Sequence, residues 1–446
     1  MTGSTPARPW PLEDYCRGYM DYLNTARTER EAVREAIRLA EEAGFREMTG
    51  SFAGLQPGEK VYFSNRGKSL LLAVGGKRPM NEGCVIGAAH VDAPRLDLKQ
   101  NPLYEDQELA YLRTHYYGGI KKYQWTAIPL ELHGVVCLRD GTAVDVVIGR
   151  DEGDPQVVIT DLLPHLAADQ MPKNASKVIE GEKLCLLAGS APYAGEGSDR
   201  VKLAVMSLLH DRYGITEEDF ISAELEAVPA MEVRELGLDR SLIGGYGQDD
   251  RVCAYAELTA ILELETPERT AVCILADKEE IGSYGVTGMQ SRAFERFMER
   301  LIGGACSLQE CFSNSFCVSA DVTAALDPLY AEVSEKQNAA RINYGVGLCK
   351  FTGARGKSGA SDASSELVGR MRGLCDEAGV IWQMCELGKV DQGGGGTVAM
   401  FMAERDIDTI DAGVPVLSMH APFETTSKLD CYMTYKCMKA AYTAAC

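Results

Sequence analysis

The stretch that decides the fold is Cys84-Val85-Ile86-Gly87-Ala88-Ala89-His90-Val91-Asp92. A short apolar run bounded by glycine is typical of a strand buried inside a sheet, and this one leads directly into a histidine and an aspartate. A second apolar run, Ala271–Ala276, leads into Asp277-Lys278-Glu279-Glu280 in the same way. Because ligands bind at the carboxyl ends of strands in open α/β sheets, the sequence predicts a ligand site at one edge of such a sheet.

Two more predicted strands and one turn carry similar side chains. Residues 316–320 end at Asp321, and residues 414–418 end at Met419-His420. Asp249-Asp250 follow a glycine-rich turn, at the start of a helix predicted over 251–263. We expect these positions to converge on one point.

Two histidines and several carboxylates form a ligand set that suits zinc, manganese or cobalt, and carboxylates can bridge two ions. Asp249, Glu280 and Asp321 carry three negative charges, which two divalent ions and a bridging hydroxide would bring to zero. A ligating histidine usually donates its second ring N–H to a carboxylate, so Asp92 is expected to orient His90. Glu279 and Glu280 diverge at the end of a strand, so one carboxylate can bind metal while the other acts as general base.

The rest of the chain predicts an α/β protein with an insertion. Residues 12–45 read as two helices, the second beginning at a capping box, Thr28-Glu29-Arg30-Glu31. Residues 1–96 and 241–446 alternate strand and helix patterns, which predicts a mixed central sheet flanked by helices. Residues 97–240 are β-rich and include a hairpin over 128–149, so they form a predicted inserted domain.

Composition excludes several classes of protein. The 446 residues hold 45 Lys+Arg and 65 Asp+Glu, a formal charge of −20, whereas nucleic-acid binding needs a basic surface. The 15 cysteines contain no C-x-x-C pair, so they are expected to be free thiols. No apolar stretch reaches the roughly 18 residues of a membrane helix and no signal peptide is evident, so no membrane partner and a cytoplasmic location are expected.

Five ordered segments resemble a known family over nearly the whole chain. They are Gly87-Ala-Ala-His-Val-Asp-Ala-Pro-Arg95, Gly247-Gln-Asp-Asp-Arg251, Asp277-Lys-Glu-Glu-Ile-Gly282, Ser319-Ala-Asp321 and Ser418-Met-His-Ala421. In order and spacing they are similar to the aspartyl aminopeptidase/aminopeptidase I family of dinuclear zinc exopeptidases, in a bacterial-type branch. The resemblance implies the zinc-exopeptidase fold for the central sheet.

The resemblance also implies roles and partners. His90, Asp249 and Asp321 would hold one metal, and Asp249, Glu280 and His420 the other, with Asp249 bridging. Glu279 would be the general base and Asp92 the residue that orients His90. The implied enzyme takes two Zn²⁺ per chain, with Mn²⁺ or Co²⁺ possible on the same ligands, and removes an acidic or neutral N-terminal residue from peptides. The insertion would form a dimer, and dimers a tetrahedral dodecamer.

Four alternatives stay open at this point. Asp250 stands where eukaryotic members have asparagine, so either of Asp249 and Asp250 could bridge the metals. In the family a histidine of the inserted domain reaches a neighbouring site; His165 is the best match, although a packed or surface histidine is the simpler interpretation. Lys357, in the basic stretch 350–359, is equally a substrate contact or a solvated lysine. A non-enzymatic assembly protein with this fold is the alternative function, but retention of every proposed ligand favours the enzyme.

Overall fold

The computed structural model describes residues 10–50 and 52–444. The helices are α1 (Trp10–Thr25), α2 (Glu29–Glu42), α3 (Ala175–Val178), α4 (Arg200–Tyr213), α5 (Gln248–Leu262), α6 (Ala293–Ile302), α7 (Leu308–Ser313), α8 (Ser365–Glu377), α9 (Ala399–Ala403) and α10 (Lys428–Tyr442). The strands are β1 (Arg46–Glu47), β2 (Lys60–Asn65), β3 (Ser69–Val74), β4 (Val85–His90), β5 (Arg95–Asp106), β6 (Leu109–Tyr117), β7 (Pro129–Cys137), β8 (Ala143–Ile148), β9 (Val157–Val158), β10 (Cys185–Gly189), β11 (Ala223–Pro229), β12 (Arg234–Leu236), β13 (Leu242–Gly245), β14 (Ala271–Ala276), β15 (Phe316–Ser319), β16 (Thr323–Ala324), β17 (Val346–Cys349), β18 (Trp382–Cys385), β19 (Asp408–Gly413), β20 (Pro415–Leu417) and β21 (Glu424–Ser427).

The chain divides into two compact units. The first contains residues 1–92, 233–419 and 424–446, and the second contains residues 93–232 and 420–423. The sequence placed the insertion at 97–240. The structure assigns residues 233–240 of this stretch to the first unit, because β12 pairs with β13 and β13 pairs with β21.

A nine-stranded sheet forms the centre of the first unit, in the order β1-β2-β3-β14-β4-β15-β19-β17-β18. Its four middle strands, β14, β4, β15 and β19, run parallel to one another. The flanking pairs β3–β14 and β17–β19 are antiparallel. The predicted mixed α/β sheet flanked by helices is therefore confirmed.

The sequence explains why the central elements form. Strands β3, β4 and β14 are buried along their whole length, as continuous apolar runs require when helices cover both faces of a sheet. Helix α2 begins at the predicted capping box, in which the Thr28 side chain and Glu31 each accept a backbone hydrogen bond. Helix α5 is buried along nearly its whole length and packs on α10 and β4.

The strand predicted over 414–418 is wrong in part. The central sheet ends earlier, at Gly413 of β19, and residues 415–417 form β20 in a separate five-stranded sheet, β12-β13-β21-β20-β16. Pro415 has no N–H to donate to a ladder, so it suits the first residue of a new strand. His420 therefore follows a strand of the small sheet, whereas His90 ends a strand of the central one.

The second unit is β-rich. Strand β11 pairs with β5 on one side and with β7 on the other, so β5, β6, β10, β9, β7 and β11 close into a ring that we call the barrel. The predicted hairpin is confirmed as the antiparallel pair β7–β8.

Two sequence expectations concern the whole chain. The fourteen described cysteines are all free thiols, and eleven of them are buried. None of the described helices combines the length and the apolar character that a bilayer crossing requires.

Candidate metal centre

His90 lies at the centre of the site. It is the last residue of β4, in register with Ala276 of β14, and its side chain is 1% exposed. Its Nε2 is 3.1 Å from Asp249 Oδ1, 3.9 Å from Glu279 Oε2 and 4.0 Å from Asp321 Oδ1. The ends of β14, β4 and β15 and the start of α5 thus bring three predicted site residues around one imidazole nitrogen of the fourth, His90.

Among the residues that the structure describes, three overlapping groups of side chains could hold a metal ion, each with its ligand atoms within 4.8 Å of one another. They are His90 with Glu279 and Asp321, His90 with Asp249 and Glu280, and Asp249 with Asp250 and Asp321. Asp249 belongs to two of these groups, as a bridging ligand would, and Asp250 to one. Glu279 and Glu280 belong to different groups, and both of these groups include His90.

Asp92 has two sets of contacts. His90 Nδ1 is 3.0 Å from the Asp92 carbonyl oxygen and 3.3 Å from its Oδ1, which fixes the ring and directs Nε2 into the site. The same carboxylate accepts hydrogen bonds from the backbone N–H groups of Glu279, at 3.1 Å, and Glu280, at 3.2 Å. Asp92 therefore holds both the histidine and the turn that carries the two glutamates.

Two buried residues hold the start of α5, and the sequence reasoning missed both. Glu424 of β21, 1% exposed, accepts a hydrogen bond from Asp249 N–H at 3.1 Å. Arg251 Nε donates to the carbonyl of Val91 at 3.0 Å, which ties α5 to the segment after β4. Arg251 lay within a quoted motif, but nothing in the sequence indicated the Glu424 contact.

The electrostatics of the site call for a cation. Burial raises the pKa of Asp321 well above its usual value, and the neighbouring Asp250, Glu279 and Asp249 raise it further. Burial also raises the pKa of Asp250, whose Oδ1 is buried without a hydrogen-bond partner. Burial alone would lower the pKa of His90, but hydrogen bonds with Asp249 and Asp92 raise it well above the usual value. Clustered buried carboxylates must take up protons or bind a cation, so the donor set fits divalent metal ions.

His420 lies outside these three groups and is counted with the second unit. Its Nδ1 is 2.8 Å from the carbonyl oxygen of Gly119, in the same unit. It has a positive φ of 65°, a rare backbone conformation that indicates a constrained position.

The remaining candidates lie in loops. Lys357 Nζ is 3.0 Å from Asp362 Oδ1 and 4.0 Å from the ring centre of Phe351, and its side chain is 43% exposed. His165 lies in a short turn of the second unit, Pro164–Leu166, and is exposed.

Comparison with known proteins identifies close relatives. Residues 22–442 match the profile of the aminopeptidase I zinc metalloprotease (M18) family. A probable M18 family aminopeptidase 1 of Clostridium acetobutylicum is 49% identical over 425 residues, which cover 93% of this chain and 91% of the relative. The crystal structure of an M18 family aminopeptidase from Thermotoga maritima superposes with a TM-score of 0.94 at 45% identity, over 98% of this chain and 97% of that one. The S. cerevisiae mApe1 dodecamer has the same fold, with a TM-score of 0.79 at 20% identity over 96% of both chains.

Proposed function

The chain belongs to the aminopeptidase I (M18) family of zinc metalloproteases, and from this premise we propose that it removes N-terminal residues from peptides through a two-metal site with Glu279 as general base. The observation that carries the proposal is that His90, Asp249, Glu280 and Asp321 all belong to overlapping groups of side chains that could hold a metal ion. Glu279 lies next to Glu280, on the same turn.

The proposed first metal is held by His90, Asp249 and Asp321, and the second by Asp249, Glu280 and His420. Participation of Asp249 in two of the three possible groups supports it over Asp250 as the bridge. The contact of His420 Nδ1 with the Gly119 carbonyl is the kind of hydrogen bond that orients a ligating histidine, so Nε2 is its proposed metal-binding atom. Zinc is the proposed metal, and manganese or cobalt would use the same donors.

Two divalent ions at these ligands would supply Lewis acidity toward a peptide carbonyl and lower the pKa of a water molecule. The chain's own residues supply the proton transfers and the positioning. Glu279 accepts a proton from the attacking water and returns it to the leaving amine. Asp92 keeps Glu279 in place through its backbone N–H and keeps the His90 ring oriented.

The preferred substrate is a peptide with a free N-terminus and an acidic or neutral first residue. Lys357 is the proposed contact for an acidic side chain, because a −20 chain needs local positive charge to attract an anion. Its present partner is Asp362. An exposed ion pair of this kind contributes little to stability, so a substrate carboxylate could replace Asp362 at small cost.

The proposed assembly is a dimer formed through the second unit, and such dimers together form a dodecamer of twelve chains. The proposed location is the cytoplasm. Support for the assembly comes from four exposed apolar side chains in one stretch of the second unit, Leu162, Leu163, Leu166 and Met171, each at least 50% exposed. Neighbouring apolar side chains in water indicate an interaction surface. His165 lies within this stretch, so we propose that it reaches the site of a neighbouring chain.

The test is hydrolysis of aminoacyl p-nitroanilides by metal-loaded protein, with the same amino acids N-acetylated as controls. We expect turnover only with a free α-amine, loss of turnover after chelation, and recovery when Zn²⁺, Mn²⁺ or Co²⁺ is added back. Equal cleavage of acetylated substrates would exclude an exopeptidase. Full activity after exhaustive chelation would exclude the metal centre.

A further inference from the structure

The interior of the barrel contains a cavity that the peptidase site does not use. Its volume is about 500 Å³. Protein cores are packed so closely that few voids exceed the size of a water molecule, so a space of this size is a feature of the fold rather than a packing defect. It lies wholly within the second unit.

The wall of the cavity is apolar and comes from every side. Leu112 of β6, Leu132 of β7 and Leu225 of β11 line it from the barrel, and each is at most 5% exposed. Val205 lines it from α4, which packs on β5, β6 and β10, and Phe220 lines it from the turn before β11. These side chains offer dispersion contacts and no hydrogen bonds.

Four polar side chains line the rim; three of them are engaged with the protein, and the fourth, Asp211, is exposed. Arg212 donates to Asp154 and to the Val147 carbonyl, Tyr213 donates to the same carbonyl, and Gln156 donates to the Gly149 carbonyl. The entrance is marked by Leu208 of α4, which lines the cavity and is nevertheless 69% exposed. An occupant therefore meets an apolar interior behind a rim whose donors are bound to the protein.

From this geometry we propose that the barrel is a second binding site, which takes an uncharged apolar small molecule. A dry apolar cavity of roughly 150 Å³ takes up one benzene molecule. The barrel has about three times that volume and lies within the range of about 300–1,000 Å³ that is typical of small-molecule sites. The occupant thus has the bulk of about three aromatic rings, or of an alkyl chain of similar volume.

The test uses N-phenyl-1-naphthylamine, an uncharged three-ring dye that fluoresces in apolar surroundings, titrated into the metal-loaded full-length protein. We expect saturable uptake of one dye per chain, displaced by 1-decanol and unaffected by a competitive peptidase inhibitor. Ala188 of β10 lines the cavity, so Ala188→Phe fills it and should weaken uptake at least tenfold, with peptidase activity unchanged. Ala143→Phe, at an exposed position of β8, adds the same ring outside the barrel and should change nothing.

A second measurement on the wild-type protein keeps the proposal testable if Ala188→Phe fails to fold. A crystal soaked in 1-bromonaphthalene should show anomalous bromine density among Leu112, Leu132 and Leu225. Bromine found only elsewhere would overturn the proposal. So would uptake that Ala188→Phe leaves intact, or wild-type crystals in which the side chain of a neighbouring copy fills the barrel.

Discussion

At the scale of single residues, Asp92 is the side chain on which most of the site depends. Its carboxylate contacts His90 Nδ1 and accepts the backbone N–H groups of Glu279 and Glu280. The contact with His90 could be predicted from the His-x-Asp spacing. The contacts with the glutamates could not, because they depend on a left-handed Lys278, φ 70°, that turns the chain after β14.

Asp92→Asn should weaken metal binding and lower kcat/KM, each by roughly 10- to 100-fold, the usual effect of replacing a residue that orients a ligand. One amide oxygen cannot accept from both backbone groups and also act on the histidine. Metal affinity measured by competition with a chelator, alongside steady-state kinetics, checks this. Asp106→Asn, at an exposed position, is the matched control, and equal behaviour of the two variants would contradict the role.

Lys357→Ala should lower kcat/KM for aspartyl and glutamyl substrates while leaving leucyl and alanyl substrates nearly unchanged. The reason is that an ammonium group favours a substrate carboxylate over an apolar side chain. The measurement is the ratio of kcat/KM values across the four substrates. Lys336→Ala, at another exposed loop lysine, controls for the loss of net charge. A preference that stays constant would remove Lys357 from the substrate pocket.

At the scale of elements, a close approach between strands holds the Asp321 loop against the end of β19. A Cβ added at Gly413 would lie 1.6 Å from the Asp321 carbonyl oxygen and 2.5 Å from its carbonyl carbon. Only glycine allows this contact. The backbone that carries a metal ligand is therefore positioned by a residue without a side chain.

Gly413→Ala should lower the free energy of unfolding by about 1–3 kcal/mol or more and reduce zinc content, because the backbone of Asp321 must move. Gly373→Ala is the control: it lies in α8 with nothing within 4 Å of the added Cβ. In a helix interior that change should stabilise by up to about 1 kcal/mol. Urea unfolding and metal analysis of both variants measure the contrast, and equal stabilities would show that β19 tolerates a side chain.

Asp411 of β19 gives the fold a pH dependence. Burial raises its pKa to about 6 against an unfolded value of 3.8, although Thr397 donates a hydrogen bond to it. Between these values the folded chain keeps a proton that the unfolded chain has released. The stability contributed by this group is therefore fully present below about pH 4 and is lost as the pH rises through 6.

Asp411→Asn cannot titrate, so the stability of the variant relative to wild type should rise by up to about 3 kcal/mol between pH 4 and pH 7. Urea unfolding of both proteins across that range measures the difference. Every other titratable group is present in both proteins, so its contribution to the pH dependence cancels in the comparison. A difference that stays constant with pH would mean that Asp411 is ionised throughout.

Elements with a strong local signal could be predicted, and those that depend on distant partners could not. The signals for β3, β4 and β14, which are continuous apolar runs, and for α2, which is a capping box, each lie in neighbouring residues of the sequence. The small sheet instead joins β12 and β13 to β20 and β21, over 170 residues later. Closure of the barrel likewise requires β11 to pair with β7, which lies much earlier in the chain. The split between β19 and β20, which places His420 after a strand of the small sheet, depends on these pairings.

At the scale of the whole molecule, the proposed assembly depends on the exposed apolar stretch of the second unit. Leu166→Asp should shift the protein toward smaller species, since a carboxylate placed at an apolar interface must be desolvated. Mass photometry or sedimentation measures the distribution. Leu238→Asp, on an exposed residue of the first unit, is the control. Unchanged assembly in Leu166→Asp would place the interface elsewhere.

The proposed mechanism depends on Glu279 acting as a general base rather than as a required metal ligand. The most direct measurement is therefore metal content and peptidase activity of Glu279→Gln, side by side with wild type. We expect about two metal ions per chain in both proteins and a fall in kcat of roughly 10²- to 10⁴-fold in the variant. Full activity in Glu279→Gln, or wild-type protein that binds no metal, would contradict it.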